Sequence, residues 1–352
     1  MRQIQVGTHS ETVVERSDYP PEKIRSILGG DTLTILGYGS QGRGQSLNLR
    51  DSGLNVIVGL REGPSWDRAV ADGWVPGQTL FPISEAARRG TIVFYLLSDA
   101  GQKEFWPTLK PLLAPGKTLV FAHGFSIVYA NQTGVVPPPG IDVIMVAPKG
   151  SGTTLRRLFL EGQWVGASYA VAQDASGHAR ERALALCVAI GSGTLFETTF
   201  ARETNSDLFG ERGSLLGAIY GLWLAQYEVL RANGYSPTEA FNETVEEATQ
   251  SLYPLIGEKG MDWMYANCST TAQRGALDWF TKFHDAVKPV FEQLFKNVAN
   301  GTETRRTLEA NSRGDYRDQL ASELKAIADS EMWLAGKVIR DLRPKKTDKE
   351  ID

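Results

Sequence analysis

The sequence predicts an α/β domain built on a parallel sheet, followed by a second domain that is mostly helical. Three observations carry this expectation. Short apolar runs alternate with amphipathic stretches from Asp31 to about Val146, the rhythm of strands joined by crossover helices. A glycine-rich turn follows the first of those runs, and after Phe200 the pattern changes to long helical stretches with few β-branched runs. The division is placed after residue 198, giving domains 1–198 and 199–352, because the last strand-like run, GTLFETTF, gives way there.

Composition agrees. A chain of 352 residues suits two domains. With 42% hydrophobic and 22% charged residues it is a compact protein, without long disorder or a fibrous repeat. The formal charge of -4 supplies no broad positive field for a phosphate backbone, which argues against a nucleic-acid partner. The N-terminal stretch MRQIQVGTHSETVVERSDYPPEK has no apolar segment that could cross a bilayer or act as a secretory signal. An intracellular protein with no membrane partner is therefore expected, cytoplasmic in a bacterium. The mitochondrial matrix or another organelle is the alternative if a transit peptide has been removed. Cys187 and Cys268 are too few and too far apart for a disulfide framework or a thiolate metal cluster, and read as two buried thiols.

In chain order, TLTILGYG, NVIVGLR, TIVFYLLS, KTLVFAH and DVIMVAP are bounded by glycine, proline or polar residues and read as neighbouring parallel strands. Gln41 to Ser52, Ser65 to Asp72 and Ser84 to Arg89 supply crossover helices on both faces. Helical patterns follow at Leu215 to Asn233, Pro237 to Leu255, Cys268 to Phe295 and Tyr316 to Arg340. The segment LLGAIYGLWLAQ lacks a polar face, which suits a helix central in a bundle or buried between subunits. RPKKTDKEID, after Leu342, reads as a frayed tail.

The first glycine turn carries chemistry. Gly37, Gly39 and Gly42 form G-x-G-x-x-G directly after a strand and at the start of a helical pattern. The first glycine permits the tight turn, the second lets backbone approach a pyrophosphate, and the third admits close helix packing. With Tyr38, Ser40 and Gln41 between them, these residues form a dinucleotide-binding loop whose helix N-terminus faces the phosphates. The second strand ends in LREGPSW, where Arg61 and Ser65 can bind a 2′-phosphate, so NADPH is favoured over NADH. Glu62 beside Arg61 works against strict selectivity.

Asp207 and Glu211 are four residues apart, as are Glu243 and Glu247, so each pair shares one helix face. Solvated acidic pairs are common, but small and apolar neighbours such as Leu208, Phe209 and Phe241 suggest partly buried faces that a cation would neutralise. Oxygen donors suit Mg²⁺. Glu203, Glu239 and Glu246 read as surface residues. His123 and Lys149 end predicted strands on the side where open α/β sheets carry ligands; there a His can relay a proton and a Lys can stabilise a developing alkoxide.

Together, GYGSQGRGQSLNLRDSGLNV, LLSDA, HGFS, VAPKGSG, SDLFGERG, FNETVEEATQSLYPLI and CSTTAQRGALDW resemble ketol-acid reductoisomerase, also called acetohydroxy acid isomeroreductase, from about Val14 to Pro344. The chain looks most like the short class, in its fungal-like branch that also occurs in bacteria. The resemblance implies a Rossmann-like N-terminal domain followed by an all-helical, knotted C-terminal domain. It implies NADPH on the glycine loop with Arg61 and Ser65 at the 2′-phosphate. Two Mg²⁺ ions per active site would be held by Asp207 and Glu211 of one subunit and Glu243 and Glu247 of the other, so that a homodimer is the smallest active unit. Ser269 matches the position that binds the substrate carboxylate, and His123 and Lys149 match polar residues beside the metals. The implied substrates are acetohydroxy acids, 2-acetolactate or 2-aceto-2-hydroxybutyrate, isomerised and then reduced to the 2,3-dihydroxy acid in valine and isoleucine synthesis. Glu247 is the expected proton carrier.

Overall fold

The computed structural model describes residues 1–344. The tail from residue 345 lies outside the described residues. Two compact units are present, Met1–Thr204 and a second from Asn205 onward. The boundary between these compact units falls inside the helix Phe200–Gly210. Packing is the reason: Phe200 is buried, with its ring edge-on to Phe121 at 6.2 Å, and Glu203 and Thr204 are buried too. The first turn of that helix therefore completes the core of the first unit.

The first unit is built on a ten-stranded sheet in the order β1-β2-β10-β9-β8-β7-β6-β3-β4-β5. The five runs expected as parallel neighbours are β3 (Leu33–Leu36), β4 (Val56–Leu60), β6 (Ile92–Tyr95), β7 (Thr118–Phe121) and β8 (Asp142–Pro148), and they do pair in parallel. Successive side chains alternate between two cores. Val93 and Tyr95 enter one, Ile92 and Phe94 the other. Cover on both faces is what makes these strands continuously apolar. The crossover helices occupy Ser40–Asp51, Pro64–Ala71 and Ile83–Arg89, each within a residue of its expected span.

Four strands were not expected from the sequence. β1 (Arg2–Val6) and β2 (His9–Glu15) form a hairpin, with Val14 of β2 opposite Leu195 of β10 (Ser192–Glu197). β1 is a largely exposed edge of polar composition, which explains its silence in a hydrophobicity pattern. β5 (Leu80–Pro82) is three residues long, and β9 (Val165–Gln173) is rich in small residues and runs antiparallel to β8.

The second unit is helical throughout its described residues. Gly217–Ala232 and Thr270–Ala299 correspond to two of the expected patterns. The span Pro237–Lys259 stays helical through two π-helical segments, Asn242–Glu246 and Ala248–Leu252. The pattern expected from Tyr316 to Arg340 is two helices, Tyr316–Ala328 and Glu331–Leu342, because Ser330 takes an extended conformation between them. A small core joins Tyr227, Phe241, Val245 and Met332. The apolar helix Gly217–Ala232 buries only Tyr227, and Leu222 and Val229 stand 43% and 63% exposed. The helix therefore does not take the central, enclosed position in a bundle of the single chain that its apolar composition suggested. Cys187 is buried, and burial pushes its thiol well up; Cys268 is only half-buried, contrary to expectation. No helix among the described residues is long and apolar enough to cross a membrane.

An ion pair braces this unit at an acid-sensitive point. Hydrogen bonds from Arg231 and Tyr227 hold the Glu331 carboxyl down to about 2. A carboxyl lowered on folding stabilises above its unfolded value of about 4.3 and loses that contribution as pH falls toward 2. Glu331→Gln should therefore lower the melting temperature at pH 7, and the difference from the parent protein should vanish near pH 2. Melting curves across that range check it.

Candidate functional site

The glycine loop lies at the C-terminal end of β3. Gly37 has φ +106°, and a Cβ there would lie 2.5 Å from the Leu96 carbonyl oxygen. At Gly42 a Cβ would lie 2.2 Å from the Gly37 carbonyl oxygen, so the first turn of the helix Ser40–Asp51 can approach the loop only without a side chain. Gly39 and Ser40 are exposed at the tip, where backbone N–H groups can meet a phosphate. Gln41 donates to the Gly150 carbonyl at 2.9 Å, tying this loop to the one that carries Lys149. The Tyr38 side chain turns inward and is buried, leaving its backbone to the cofactor loop.

After β4, Arg61 is exposed and lies 3.7 Å from Glu104. Ser65 sits in the first turn of the helix Pro64–Ala71, and Arg68 donates to its hydroxyl at 3.3 Å. Arg68 is a second cation beside the proposed 2′-phosphate position, one that reading the loop alone passed over.

His123 follows β7 and Lys149 follows β8; these strands run parallel, so both residues reach the same edge of the sheet as the glycine loop. Glu203 joins them. Its carboxylate accepts from Lys149 Nζ at 2.9 Å and lies 3.6 Å from His123 Nδ1, with only 3% of the side chain exposed. The expectation that Glu203 is a surface residue is corrected. A buried carboxylate persists when it is paired, and Lys149 and His123 provide that pairing. The signal was present, since Glu203, Asp207 and Glu211 follow one another at spacings of four along one helix path.

Glu246 is corrected as well: it is half-buried and forms an ion pair with Arg343. Glu239 instead closes the capping box with Ser236 at the start of Pro237–Phe241. Glu243 and Glu247, by contrast, are exposed and make no ion pair among the described residues. Glu243 lies within the first π-helical segment and Glu247 directly between the two, a local geometry common at functional positions. Glu243 and Glu247, four residues apart and without ion pairs among the described residues, offer oxygen donors of the kind a hard divalent cation takes. Asp207 is half-buried. Glu211 is exposed and opens a π-helical segment, Glu211–Leu215, that is kinked at Gly213. The partly buried faces expected for the pairs are thus found at Asp207 and not at the three glutamates of the single chain. Ser269 is exposed and caps the helix Thr270–Ala299, accepting from the Ala272 N–H at 3.2 Å. Its hydroxyl proton remains available to an anion at that N-terminus.

Residues 27–195 match the family described as acetohydroxy acid isomeroreductase, NADPH-binding domain, and residues 200–345 match ketol-acid reductoisomerase, C-terminal domain. The chain is a member of the ketol-acid reductoisomerase family. It is 59% identical to the mitochondrial ketol-acid reductoisomerase of Saccharomyces cerevisiae over 345 residues, 98% of this chain and 87% of that one. A relative from Desulfosudis oleivorans, named ketol-acid reductoisomerase (NAD(+)), is 57% identical over 99% of this chain and 100% of its own. Among solved structures, an NADH-preferring ketol-acid reductoisomerase from an uncultured archean superposes with a TM-score of 0.84 at 35% identity, covering 95% of this chain and all of that one. Membership assigns isomerisation coupled to reduction in branched-chain amino acid synthesis, with a nicotinamide cofactor.

Proposed function

We propose that the protein converts 2-acetolactate or 2-aceto-2-hydroxybutyrate to the 2,3-dihydroxy acid, using Mg²⁺ and preferring NADPH. The observation that carries this reading is the meeting of Lys149, His123 and Glu203 at the sheet edge that also bears the glycine loop. When bound, Mg²⁺ would polarise the substrate hydroxyl and carbonyl oxygens, and NADPH would supply the hydride.

The chain's own residues do the rest. Asp207 and Glu211 of one subunit, with Glu243 and Glu247 of the other, hold the two cations. Glu247 takes the proton from the C2 hydroxyl, which lets the alkyl group migrate to the neighbouring carbonyl carbon. Lys149, oriented by Glu203, balances the negative charge developing on oxygen, and His123 handles the proton needed when the new ketone is reduced. Ser269 and its helix N-terminus orient the substrate carboxylate. The exposed N–H groups at Gly39 and Ser40 bind the cofactor pyrophosphate, while Arg61, Ser65 and Arg68 bind the 2′-phosphate.

Surface chemistry supports a dimer. Leu222, Val229, Trp279, Phe280, Phe283 and Val290 are all more than 40% exposed in the single chain. So much apolar surface on two helices suits burial against a second copy. The knotted path of the helical domain is part of the same reading. Location in an organelle takes its support from the mitochondrial name of the yeast relative; bacterial cytoplasm has no such support.

The test is NADPH oxidation by purified protein with 2-acetolactate, with and without Mg²⁺, and identification of the product by mass spectrometry. Formation of 2,3-dihydroxyisovalerate only with Mg²⁺ is expected. Reduction of simple 2-keto acids without Mg²⁺, and no turnover of 2-acetolactate, would replace this reading with that of a simpler reductase.

A further inference from the structure

Two helices begin at residues proposed to hold the cofactor. One, Ser40–Asp51, starts at the glycine loop; the other, Pro64–Ala71, carries Ser65 in its first turn. At the far end of the second helix, its C-cap residue Asp72 gathers the first. The Asp72 carboxylate receives both Arg43 nitrogens, Nε at 2.7 Å and Nη2 at 2.8 Å, in a bidentate pair. It also accepts from the Tyr38 hydroxyl at 2.7 Å, and that hydroxyl accepts from the buried Trp74 Nε1 at 2.8 Å. Arg50, on the same helix as Arg43, donates to the Asp72 carbonyl at 2.9 Å and lies over the Trp74 ring.

The connection is specific to these side chains. The Asp72 side chain is 15% exposed, and the Arg43 guanidinium foremost, then Tyr38, holds its carboxyl below the usual range despite the opposing effect of burial. Tyr38 is the residue between the first two motif glycines, so its ring carries the position of the loop backbone directly to Asp72.

We infer that Asp72 is a positioning residue for cofactor choice, fixing the distance between the loop that takes the pyrophosphate and the helix whose first turn takes the 2′-phosphate. The inference rests on the cofactor reading above. A dinucleotide with a 2′-phosphate bridges both anchors and gains only when their spacing is right; one without it uses the loop alone. Loosening the network therefore weakens NADPH binding more than NADH binding.

Fluorescence titration of the full-length protein with NADPH and NADH, alongside thermal melting, tests this. Asp72→Asn keeps the shape but removes the charge that pairs with Arg43. It should raise the NADPH dissociation constant about tenfold and that of NADH less than about threefold, lowering the selectivity ratio. Tyr38→Phe, which keeps the Arg43 pair, should shift the ratio in the same direction by less. A lowered melting temperature with both affinities unchanged, or weakened equally, would overturn the inference and leave Asp72 a structural brace. If the unaltered protein binds neither nucleotide, the cofactor reading fails and this inference with it.

Discussion

Glu247→Gln is expected to cut isomerisation at least about a hundredfold, the range over which a positioned general base acts. The exchange keeps shape and removes both the charge that attracts a cation and the site that accepts a proton. Glu247 is exposed in the single chain, makes no ion pair among the described residues, and stands between two π-helical segments, so the fold loses no partner when it is neutralised. The melting temperature and the NADPH affinity should stay at parent values, because the nucleotide loop belongs to the other unit. Single-turnover conversion of 2-acetolactate, followed with separate titrations of Mg²⁺, checks this. Recovery at high Mg²⁺ would assign the loss to cation binding, and no recovery would assign it to proton transfer. Near-parent isomerisation would remove Glu247 from both roles.

Phe283→Asp should split the proposed dimer and abolish turnover together. The helix Thr270–Ala299 buries only Val298 in the single chain, while Trp279, Phe280, Phe283 and Val290 stand 55%, 53%, 56% and 68% exposed. Trp279 and Phe283 are ring neighbours at 6.3 Å, one helical turn apart. A carboxylate in the middle of that patch, buried without a partner on association, should weaken the dimer at least about a hundredfold. It costs the isolated chain little, since the position faces solvent there. Sedimentation velocity and activity at matched concentrations are the measurements. NADPH affinity should survive, because the nucleotide loop belongs to the other unit. A dimer that persists, or a monomer with full activity, would refute the shared site.

Much of the nucleotide domain could be read from the chain. Five strands and three crossover helices show in the sequence because each is a run of consecutive residues whose burial on one or two faces fixes its composition. The G-x-G-x-x-G turn is equally local as a motif, since at Gly42 a Cβ would stand against the carbonyl of Gly37 five residues earlier. The polar hairpin β1–β2 left no such trace. Neither did the antiparallel β9, whose pairing with β8 is a choice among strand edges that no local pattern records.

For the site, the residue types and spacings gave the glycine loop and the carboxylate pairs, and the resemblance of the ordered motifs gave the family. These need only neighbours along the chain, and the order of the motifs preserves them. Only the tertiary structure decided that Glu203 lies buried between Lys149 and His123, that Glu246 is tied to Arg343, and that Glu243 and Glu247 are left without countercharges among the described residues. The same holds for Asp72, joined to Tyr38 across 34 positions, as Lys149 is to Glu203 across 54. Whether a carboxylate is solvated, paired or open to a cation depends on which distant side chains fold against it. Spacing along a helix sets the direction in which it points, and packing sets what it meets.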